Sequence, residues 1–527
     1  MIPGETCWRT ESSARAALLI DEQAHYSALF EAMRAARRSI LILGWGFDPR
    51  ARLFPDGQDG PDDPDEIGHV LLRLAREKPG LDIRLLIWKS AFPIAATQEF
   101  FPHRARKWFK GTRVQFRLDD QVPMGACHHQ KIIVIDDRLA FCGSGDICVD
   151  RWDTTGHVEF DPRRIMPDQD CHAPRHEVTI MVDGAAAAAL GQHFRERWRR
   201  GAKTEFAEPQ CVESDPWPSR FPAHLTDVQV SIARTTPAWR GQPGVREIQD
   251  LTLACIARAD RMIYLENQYF ASPVIAEALA QRLAEPDGPE VVLVATGVSP
   301  SYFDKSTMDA ARGIMLRRLQ AADRYGRLRA LHPVTRAGSL IIVHSKTSVF
   351  DDRVIRVGSA NINNRSYGFD TEIELAIEVE DEKDRLIVAG FRNRLIGHFL
   401  GHSGDAVAKA IREQGGVCRA IDTLNNEGRL AAIDATAGSP LSEFVGAWHL
   451  GDPSDRGDAF RLGLRRRRLQ AQVRAVRGLA TSDQIEIHHQ GQVVGGASGE
   501  RIERGEDVGD LDLRTDEMVV NPQHRQG

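Results

Sequence analysis

Short apolar runs alternate with helical patterns along most of the chain. Runs of four to eight apolar residues between polar or turn residues are typical of buried strands, whereas apolar residues three and four positions apart are typical of amphipathic helices. Strands are predicted at residues 39–45, 82–88, 114–118, 178–182, 228–232, 262–270, 291–296 and 372–379. Helices are predicted at residues 67–77, 184–200, 246–259 and 384–399, after an entry segment and a helix within residues 1–40. This alternation predicts an α/β fold whose sheet has parallel character.

One apolar run carries polar residues that a core strand does not need. It covers residues 128–136 and contains His129 and Lys131 ahead of four consecutive isoleucine or valine residues. Residues two apart on a strand share a face, so the histidine and the lysine point the same way while the aliphatic residues pack. An imidazole beside an ammonium is poor core material. Together they predict a site for an anion.

A second copy of this pattern lies 215 residues downstream. Each copy has a histidine, a lysine two residues later and an aspartate five residues after the lysine: His129, Lys131 and Asp136, then His344, Lys346 and Asp351. A Gly-Ser pair follows both aspartates at the same offset. A single match of this kind is weak because short patterns arise by chance. Two copies predict two half-sites that face each other.

The strands and helices around the two copies repeat as well, so the repeat indicates a duplicated domain. We predict an N-terminal catalytic lobe at residues 1–215, a C-terminal catalytic lobe at residues 216–400, a helical extension at residues 401–480 and a disordered tail at residues 481–527. The extension carries a basic helix with four consecutive arginines, Arg465 to Arg468. This helix either contacts an anionic membrane surface or is a solvated surface helix, and we favour the second interpretation.

Two imidazoles that flank one phosphodiester allow a displacement in two steps. One histidine attacks phosphorus to form a phosphohistidine, and the other protonates the leaving oxygen and then activates water or an alcohol. Lys131 and Lys346 supply positive charge for the phosphoryl oxygens. The candidate phosphate-binding and supporting residues are Ser144, Ser359, Asn361, Asp161 and Glu372. The sequence shows no Asp/His cluster for a metal ion, so we expect no metal and no other cofactor.

The carboxylates have two candidate roles. Asp161 and Glu372 are the candidates to hold the second ring nitrogen of each histidine, as the aspartate does in a catalytic triad. Asp136 and Asp351 are counted with the catalytic motifs, although their place after an apolar strand segment also suits a structural role.

These residues resemble the two H-x-K-x-x-x-x-D motifs of the phospholipase D superfamily. Three further segments resemble blocks of the eukaryotic-type phospholipases D: residues 143–148 with Arg151-Trp152-Asp153, residues 265–270, and residues 361–366 with Asp370-Thr371-Glu372. The resemblance covers roughly residues 25–400. It implies two tandem α/β/α-sandwich lobes, related by duplication, with one active site between them.

The resemblance also implies an activity. His129 would be the nucleophile and His344 the acid of a phospholipase D, which hydrolyses the distal phosphodiester of glycerophospholipids to phosphatidic acid or transfers the phosphatidyl group to an alcohol. The implied partners are a phospholipid membrane surface, on which the protein acts peripherally, and water or a primary alcohol as acceptor. The sequence predicts no oligomeric state.

Composition limits the classes of binding partner and the cellular locations that are expected. The 527 residues have a formal net charge of −6, so no global basic field favours nucleic acid. No segment has the form of a Sec signal peptide or the length of a transmembrane helix, and eight scattered cysteines favour reduced thiols. We therefore expect a cytoplasmic or peripheral-membrane location, with export by a non-Sec route left open.

Two alternative functions remain. The first is a phosphodiesterase or endonuclease of the same superfamily, which should have a basic, aromatic-lined groove. The second is a catalytically inactive lipid-binding protein. The intact pairs of histidine and lysine argue against the second alternative.

Overall fold

The computed structural model describes residues 1–55, 65–90, 102–202, 214–301, 304–435, 448–449, 451–457, 459 and 461–481, which belong to one compact unit, Met1–Thr481. The strands are β1 (Arg9–Ile20), β2 (Ser39–Gly44), β3 (Asp82–Trp88), β4 (Gln115–Asp119), β5 (Ile132–Ile135), β6 (Leu139–Gly143), β7 (Arg175–His176), β8 (Val178–Asp183), β9 (Leu225–Thr236), β10 (Val245–Arg246), β11 (Met262–Asn267), β12 (Glu290–Val294), β13 (Leu328–Pro333), β14 (Ile342–Val343), β15 (Lys346–Phe350), β16 (Val354–Gly358), β17 (Glu372–Glu378) and β18 (Leu430–Ala432). The α-helices are α1 (Asp21–Ala35), α2 (Ile67–Glu77), α3 (Pro102–Trp108), α4 (Gly184–Ala202), α5 (Glu247–Arg258), α6 (Pro273–Ala284), α7 (Ala310–Ala322), α8 (Glu382–Leu400), α9 (Gly404–Gln414), α10 (Val417–Leu424) and α11 (Leu462–Thr481).

One continuous sheet runs through both halves of this unit. Its strand order is β18-β13-β12-β11-β15-β16-β17-β9-β1-β8-β6-β5-β2-β3-β4, with β10 beside β9. The order on one side of the antiparallel β9–β1 pair mirrors the order on the other side, apart from β18 and β10 at the margins. The duplication seen in the sequence therefore extends over the whole sheet. The domain boundaries at residues 215, 400 and 480 stay a prediction.

The predicted strands all appear in the sheet, but its parallel character is limited. Parallel pairing joins β2 to β3, β3 to β4, β11 to β12 and β12 to β13. The motif strands β5 and β15 pair antiparallel on both sides. Each is joined to the next strand by a tight turn, and two strands joined by such a turn can pair only in antiparallel fashion. The fold is therefore a mixed α/β sheet.

The helix predicted within residues 1–40 is present as α1, but the entry segment before it contains an unpredicted strand. Residues 9–20 form β1, a strand in the middle of the sheet, and α1 begins only at Asp21. Strand β1 pairs with β8 on one side and with β9 on the other, and Ala17 and Leu19 at its end are buried. The apolar periodicity of a short segment is compatible with a strand and with a helix. Pairing with other strands in the tertiary structure decides between the two.

Helices cover both faces of the sheet. Alternate residues of β2 enter different cores: Leu41 and Leu43 pack on one face, Ile40 and Ile42 on the other. The first core also contains residues of α4 and α8, so it is shared by both halves. On the opposite face each half has a core of its own, with α1 and α2 in the first half and α5 to α7 in the second. Two α/β/α sandwiches are thus joined through one continuous sheet and one shared core.

The C-terminal extension packs on the second half. Helix α11 contacts α6, where Arg477 of α11 pairs with Glu277 at 2.9 Å. Of the four consecutive arginines, Arg465 is 2% exposed and Arg468 pairs with Asp455, so the basic run also holds the extension in place. Among the described residues no helix is long and apolar enough to cross a membrane. The predicted tail, apart from Thr481, lies outside the described residues.

Candidate active site

The first motif histidine is held by the second half of the chain. His129 precedes β5, and its Nδ1 lies 3.0 Å from Glu372 Oε2 and 3.1 Å from the carbonyl oxygen of Ser359. Its backbone N–H donates to the Thr371 carbonyl at 2.9 Å. These contacts leave Nε2 as the ring nitrogen available for chemistry.

The second motif histidine is held by the first half in the same way. His344 precedes β15, and its Nδ1 lies 2.9 Å from Glu177 Oε2. Its backbone N–H donates to the His176 carbonyl at 2.8 Å. Each half of the chain therefore provides the carboxylate that orients the histidine of the other half, and we call the two pairs the crossed His–Glu pairs.

A serine fixes each of these carboxylates. Ser144 Oγ donates to Glu177 at 2.5 Å, and Ser359 Oγ donates to Glu372 at 2.5 Å. Both serines follow a glycine, the last residue of β6 in one half and of β16 in the other. A Cβ atom on either glycine would collide with a carbonyl oxygen of the neighbouring strand, β8 or β17. The Gly-Ser pair thus brings the hydroxyl close enough to hold the carboxylate.

The two motif lysines are buried and differ in their partners. Lys131 Nζ lies 3.1 Å from Asp146 Oδ2 and donates to the His129 carbonyl at 2.8 Å. Lys346 Nζ donates to the His344 carbonyl at 2.6 Å and to Gln268 Oε1 at 3.3 Å. Among the described residues, Lys346 has no carboxylate at ion-pair distance. Its charge is therefore less neutralised than that of Lys131.

Charged groups of each motif shift the pKa values of groups in the other motif. Burial lowers the pKa of His129 well below its ordinary value, and the positive charges of Lys131 and Lys346 lower it further. Burial also lowers the pKa of Lys346, and Lys131 adds to that effect. Burial lowers the pKa of His344 well below its ordinary value, against the opposing charge of Glu177. The neutral imidazole is thus the favoured form of both histidines.

The two carboxylates of the crossed pairs have opposite pKa shifts. Burial raises the pKa of Glu372 to about 8, although Lys131 and two serine hydroxyls oppose it. Burial also acts on Glu177, but His344, Arg151 and Lys346 outweigh it and hold the pKa of Glu177 well below its usual range. Glu177 is therefore ionised at neutral pH, whereas Glu372 holds a proton up to about pH 8.

The comparisons with known proteins agree with this geometry. A family model described as "Phospholipase D" matches residues 32–234, and one described as "Cardiolipin synthase, PLD-like domain" matches residues 252–393. The chain belongs to the phospholipase D superfamily. Phospholipase D1 of Schizosaccharomyces pombe is 23% identical over 69% of this chain and 33% of its own length. Phospholipase D alpha 4 of Arabidopsis thaliana is 23% identical over 66% of this chain and 59% of its own length.

A solved structure shares the fold. Phosphatidylserine synthase of Haemophilus influenzae superposes with a TM-score of 0.50 at 15% sequence identity, over 78% of this chain and 94% of that one. The chain spans only part of the length of the curated relatives it matches, from 27% to 59%.

The motif aspartates of this superfamily member do not lie with the histidines. Asp136 accepts hydrogen bonds from the backbone N–H groups of Arg37, Arg38 and Ser39, at 2.7–2.8 Å. Asp351 does the same for residues 260–262, at 2.6–2.8 Å. Both have positive φ, 55° and 53°, and start the tight turn after the motif strand. Their assignment as catalytic residues is corrected: each fixes the start of the neighbouring strand, β2 or β11.

Some supporting residues also have other roles than predicted. Asp161 accepts from Arg163, at 2.8 Å from its Nε, and caps a short 3₁₀ helix, so it does not hold a histidine. Ser144 and Ser359 give their protons to carboxylates and cannot also donate them to phosphate. The amide oxygen of Asn361 is buried without a hydrogen-bond partner among the described residues, and its phosphate-binding role stays a prediction. Glu372 lies where a carboxylate was expected, but against His129 of the other half.

Sequence reasoning missed Glu177 completely. A signal for it existed, because Glu177 directly precedes β8 as Glu372 begins β17, and these strands are equivalent in the mirrored order of the sheet. A comparison of the two halves by strand, and not only by motif, identifies Glu177 as the counterpart of Glu372.

Proposed function

We propose that this chain is a phospholipase D: it hydrolyses the distal phosphodiester of glycerophospholipids to phosphatidic acid and the free head group. The observation that carries the proposal is the crossed arrangement, in which two imidazoles keep Nδ1 on a carboxylate and have Nε2 left for a substrate. Relatives named phospholipase D support the substrate class. Transfer of the phosphatidyl group to a primary alcohol uses the same intermediate.

In the first step, His129 is the nucleophile. Its Nε2 lone pair attacks phosphorus while Nδ1–H donates to Glu372 in its ionised form, which predominates above about pH 8, so that the positive charge on the ring is stabilised. The bond from phosphorus to the head-group oxygen breaks, and this oxygen takes a proton from Nε2–H of His344. The products are the free head-group alcohol and a phosphatidyl group bound to His129.

In the second step, His344 is the base. Its neutral Nε2 removes a proton from water or from a primary alcohol, whose oxygen attacks phosphorus and breaks the bond to His129. Phosphatidic acid or a phosphatidyl-alcohol leaves, and His344 regains its proton. Glu177 stabilises the imidazolium form in both directions because it is ionised.

The charges of the site favour an anionic phosphodiester. Lys131 and Lys346 belong to the same half-sites as the two histidines, and both lie buried. A phosphodiester bound between the imidazoles adds a negative charge, which raises the pKa of His344 and so favours the protonated acid. The two lysines compensate the charge that builds up on the non-bridging oxygens in the transition state.

Two incubations of the purified full chain test the proposal. The protein is incubated with labelled phosphatidylcholine and phosphatidylethanolamine vesicles plus a primary alcohol, and separately with single-stranded DNA. Phosphatidic acid and phosphatidyl-alcohol are the expected products. Cleavage of DNA alone would favour an endonuclease, and vesicle binding without any product would favour an inactive lipid-binding protein.

Contact with the membrane surface is a separate part of the proposal. The active site must receive a lipid head group, so the protein acts peripherally on a bilayer. Sedimentation with vesicles of neutral and anionic lipids, with and without salt, measures this contact. Activity on short-chain soluble phospholipids but none on vesicles would contradict it.

A further inference from the structure

Four side chains from distant parts of the sequence meet beside the His344–Glu177 pair. They are Asp21 at the start of α1, His157 in a loop, His176 at the end of β7 and His398 in α8. One ligand atom of each lies within 4.8 Å of those of the other three. We propose that this set, the histidine–aspartate cluster, binds one first-row transition-metal dication, and that the ion is zinc.

Three atoms of the cluster lack a partner. Asp21 Oδ2, His157 Nε2 and His398 Nε2 are buried and make no hydrogen bond within the described part of the chain. Asp21 and His157 are each 1% exposed, and their two atoms lie 3.5 Å apart. Buried polar atoms are nearly always paired, so three convergent atoms without a partner indicate a missing ligand.

The hydrogen bonds on the far side of the rings identify these atoms as lone pairs. His157 Nδ1 lies 2.9 Å from Asp153 Oδ2, and His398 Nδ1 lies 3.3 Å from the carbonyl oxygen of Arg394. A carboxylate or a carbonyl oxygen only accepts, so the ring proton of each neutral imidazole is on Nδ1 and Nε2 has the lone pair. The carboxylate oxygen of Asp21 is an acceptor as well. One water molecule has two protons for these three acceptors, whereas one cation satisfies all three.

His176 completes the set. Its Nε2 lies 2.9 Å from Glu266 Oε2, and its Nδ1 lies 2.8 Å from Asp21 Oδ1. When Nε2–H donates to Glu266, Nδ1 is left as a ligand atom beside Asp21. All three histidines thus have an outer acceptor on the nitrogen that does not face the cluster. This is the arrangement that fixes the tautomer of metal-bound histidines in proteins.

The donor set and its surroundings match a closed zinc site. Three imidazoles and one carboxylate are ligands that zinc accepts in a tetrahedron, with bonds of about 2.0–2.1 Å. Ligand atoms in such a tetrahedron lie about 3.3 Å apart, close to the Asp21–His157 distance. The ring of Phe399 lies 5.0 Å from the ring of His176 and covers the cluster with apolar surface. Four protein ligands and burial leave no open position, so the ion would be structural.

A bound ion would connect the two halves next to the active site. Asp21, His157 and His176 come from the first half, whereas His398 belongs to α8 of the second half. Asp21 Oδ1 also accepts from the backbone N–H of Glu177 at 3.1 Å, and the backbone N–H of Asp21 donates to the Glu177 carbonyl at 2.9 Å. The ion would therefore hold in position the residue that orients His344.

Metal content of the purified full chain tests this proposal without any activity assay. The protein is produced without a polyhistidine tag, dialysed against a weak chelator, and analysed by inductively coupled plasma mass spectrometry. We expect close to one zinc per chain. After removal of zinc with a strong chelator, Co²⁺ should bind with the visible ligand-field absorption typical of tetrahedral nitrogen and oxygen ligation.

Two variants and a matched control sharpen the test. His398→Ala removes a partly exposed ligand and should lower metal content and Co²⁺ affinity at least tenfold, and His157→Ala should do the same. His332→Ala changes a histidine of β13 that is also partly buried but lies outside the cluster. This control should keep the metal content of the unchanged protein.

The proposal is wrong if the unchanged protein contains no stoichiometric first-row metal and binds neither Zn²⁺ nor Co²⁺ in titration. In that case His157 and His176 only make hydrogen bonds to the buried carboxylates of Asp153, Asp21 and Glu266. Equal metal content in His398→Ala and His332→Ala would also overturn it. Should the cluster variants fail to fold, the metal content and the Co²⁺ spectrum of the unchanged protein still decide. Neither metal content nor the Co²⁺ spectrum involves a substrate. A protein that does not hydrolyse phospholipids could therefore still bind the metal, and the two proposals are tested separately.

Discussion

The two halves of this molecule have the same catalytic geometry but different charges around it. Both have a Ser–Glu–His arrangement in which the glutamate crosses to the other half. Arg151 helps to keep Glu177 ionised, whereas the residue at the equivalent offset from the motif is Ser366, whose neutral hydroxyl donates to Glu372 at 2.7 Å. A guanidinium in place of a hydroxyl accounts for part of the opposite pKa shifts of the two carboxylates.

The two motif lysines also differ in the charge of their surroundings. Lys131 is paired with Asp146, but the equivalent position near Lys346 is the neutral Asn361. Duplication supplied two similar imidazoles, and a two-step displacement needs one nucleophile and one acid. We propose that the differences in charge around two equal geometries separate these two roles. Each of the following predictions tests this comparison, beginning with the largest effect.

The two histidines should differ in their dependence on the leaving group. We expect His129→Ala and His344→Ala each to lower kcat about 10⁴-fold or more on phosphatidylcholine. A p-nitrophenol leaving group needs no proton, so His344→Ala should recover activity on a p-nitrophenyl phosphodiester and accumulate labelled phosphohistidine, while His129→Ala should not. His402→Ala, on an exposed loop, is the control. Adduct in His129→Ala would reverse the roles.

The two glutamates should each share the phenotype of the histidine of the other half. Glu177→Gln is expected to lower kcat about 10²–10⁴-fold with the leaving-group dependence of His344→Ala, and Glu372→Gln to resemble His129→Ala. The same substrate series measures both. If Glu177→Gln resembled His129→Ala, the crossed pairing would be incorrect.

The two motif aspartates should contribute equally to the stability of the fold. Asp136→Asn and Asp351→Asn each weaken a set of backbone hydrogen bonds to an ionised group, so we expect a loss of about 3 kcal/mol in the free energy of unfolding. Urea denaturation measures it. The kcat per folded molecule should change less than the stability suggests, by a few fold at most. A loss of kcat like that of His129→Ala, in folded protein, would return these residues to the catalytic set.

The dependence of activity on pH should report Glu372 and not Glu177. Below about pH 8 Glu372 is protonated and donates to Nδ1 of His129, so the ring proton is on Nε2, which cannot attack. Above that pH the ionised Glu372 accepts from Nδ1–H and Nε2 is a nucleophile. We therefore expect kcat/KM to rise with pH up to about 8. This rise should be absent, at lower activity, in Glu372→Gln, and present in Glu177→Gln.

The smallest effect concerns the hydroxyl of Ser366, the residue of the second half that is equivalent in position to Arg151. Ser366→Ala removes one hydrogen bond that favours the ionised form of Glu372, so its pKa should rise by about one unit. The rise of kcat/KM should then move to higher pH by the same amount, with little change in the plateau. Ser345→Ala removes a hydroxyl bonded to Glu266 instead and serves as the control. An unchanged profile in Ser366→Ala would exclude Ser366 as a cause of the difference between the two halves.

The sequence alone predicted many of the strands and helices and the candidate reacting groups. Apolar periodicity located the predicted strands, since it reflects one-sided or complete burial, which local residues determine. The repeated spacing identified His129, Lys131, His344 and Lys346, because a strand keeps residues two apart on one face and two copies are rare by chance. It also predicted that the two copies meet in one site.

Only the tertiary structure decided which groups become partners. The assignment of β1 required the pairing of residues 9–20 with strands more than 150 positions away in the sequence. Glu177 and the crossing of the pairs follow from the mirrored order of the sheet, and Asp136 and Asp351 acquired a structural role through backbone groups that no motif contains. The cluster of Asp21, His157, His176 and His398 has no sequence pattern at all. Local spacing determines which face a side chain takes, whereas long-range pairing of strands and helices determines which faces meet.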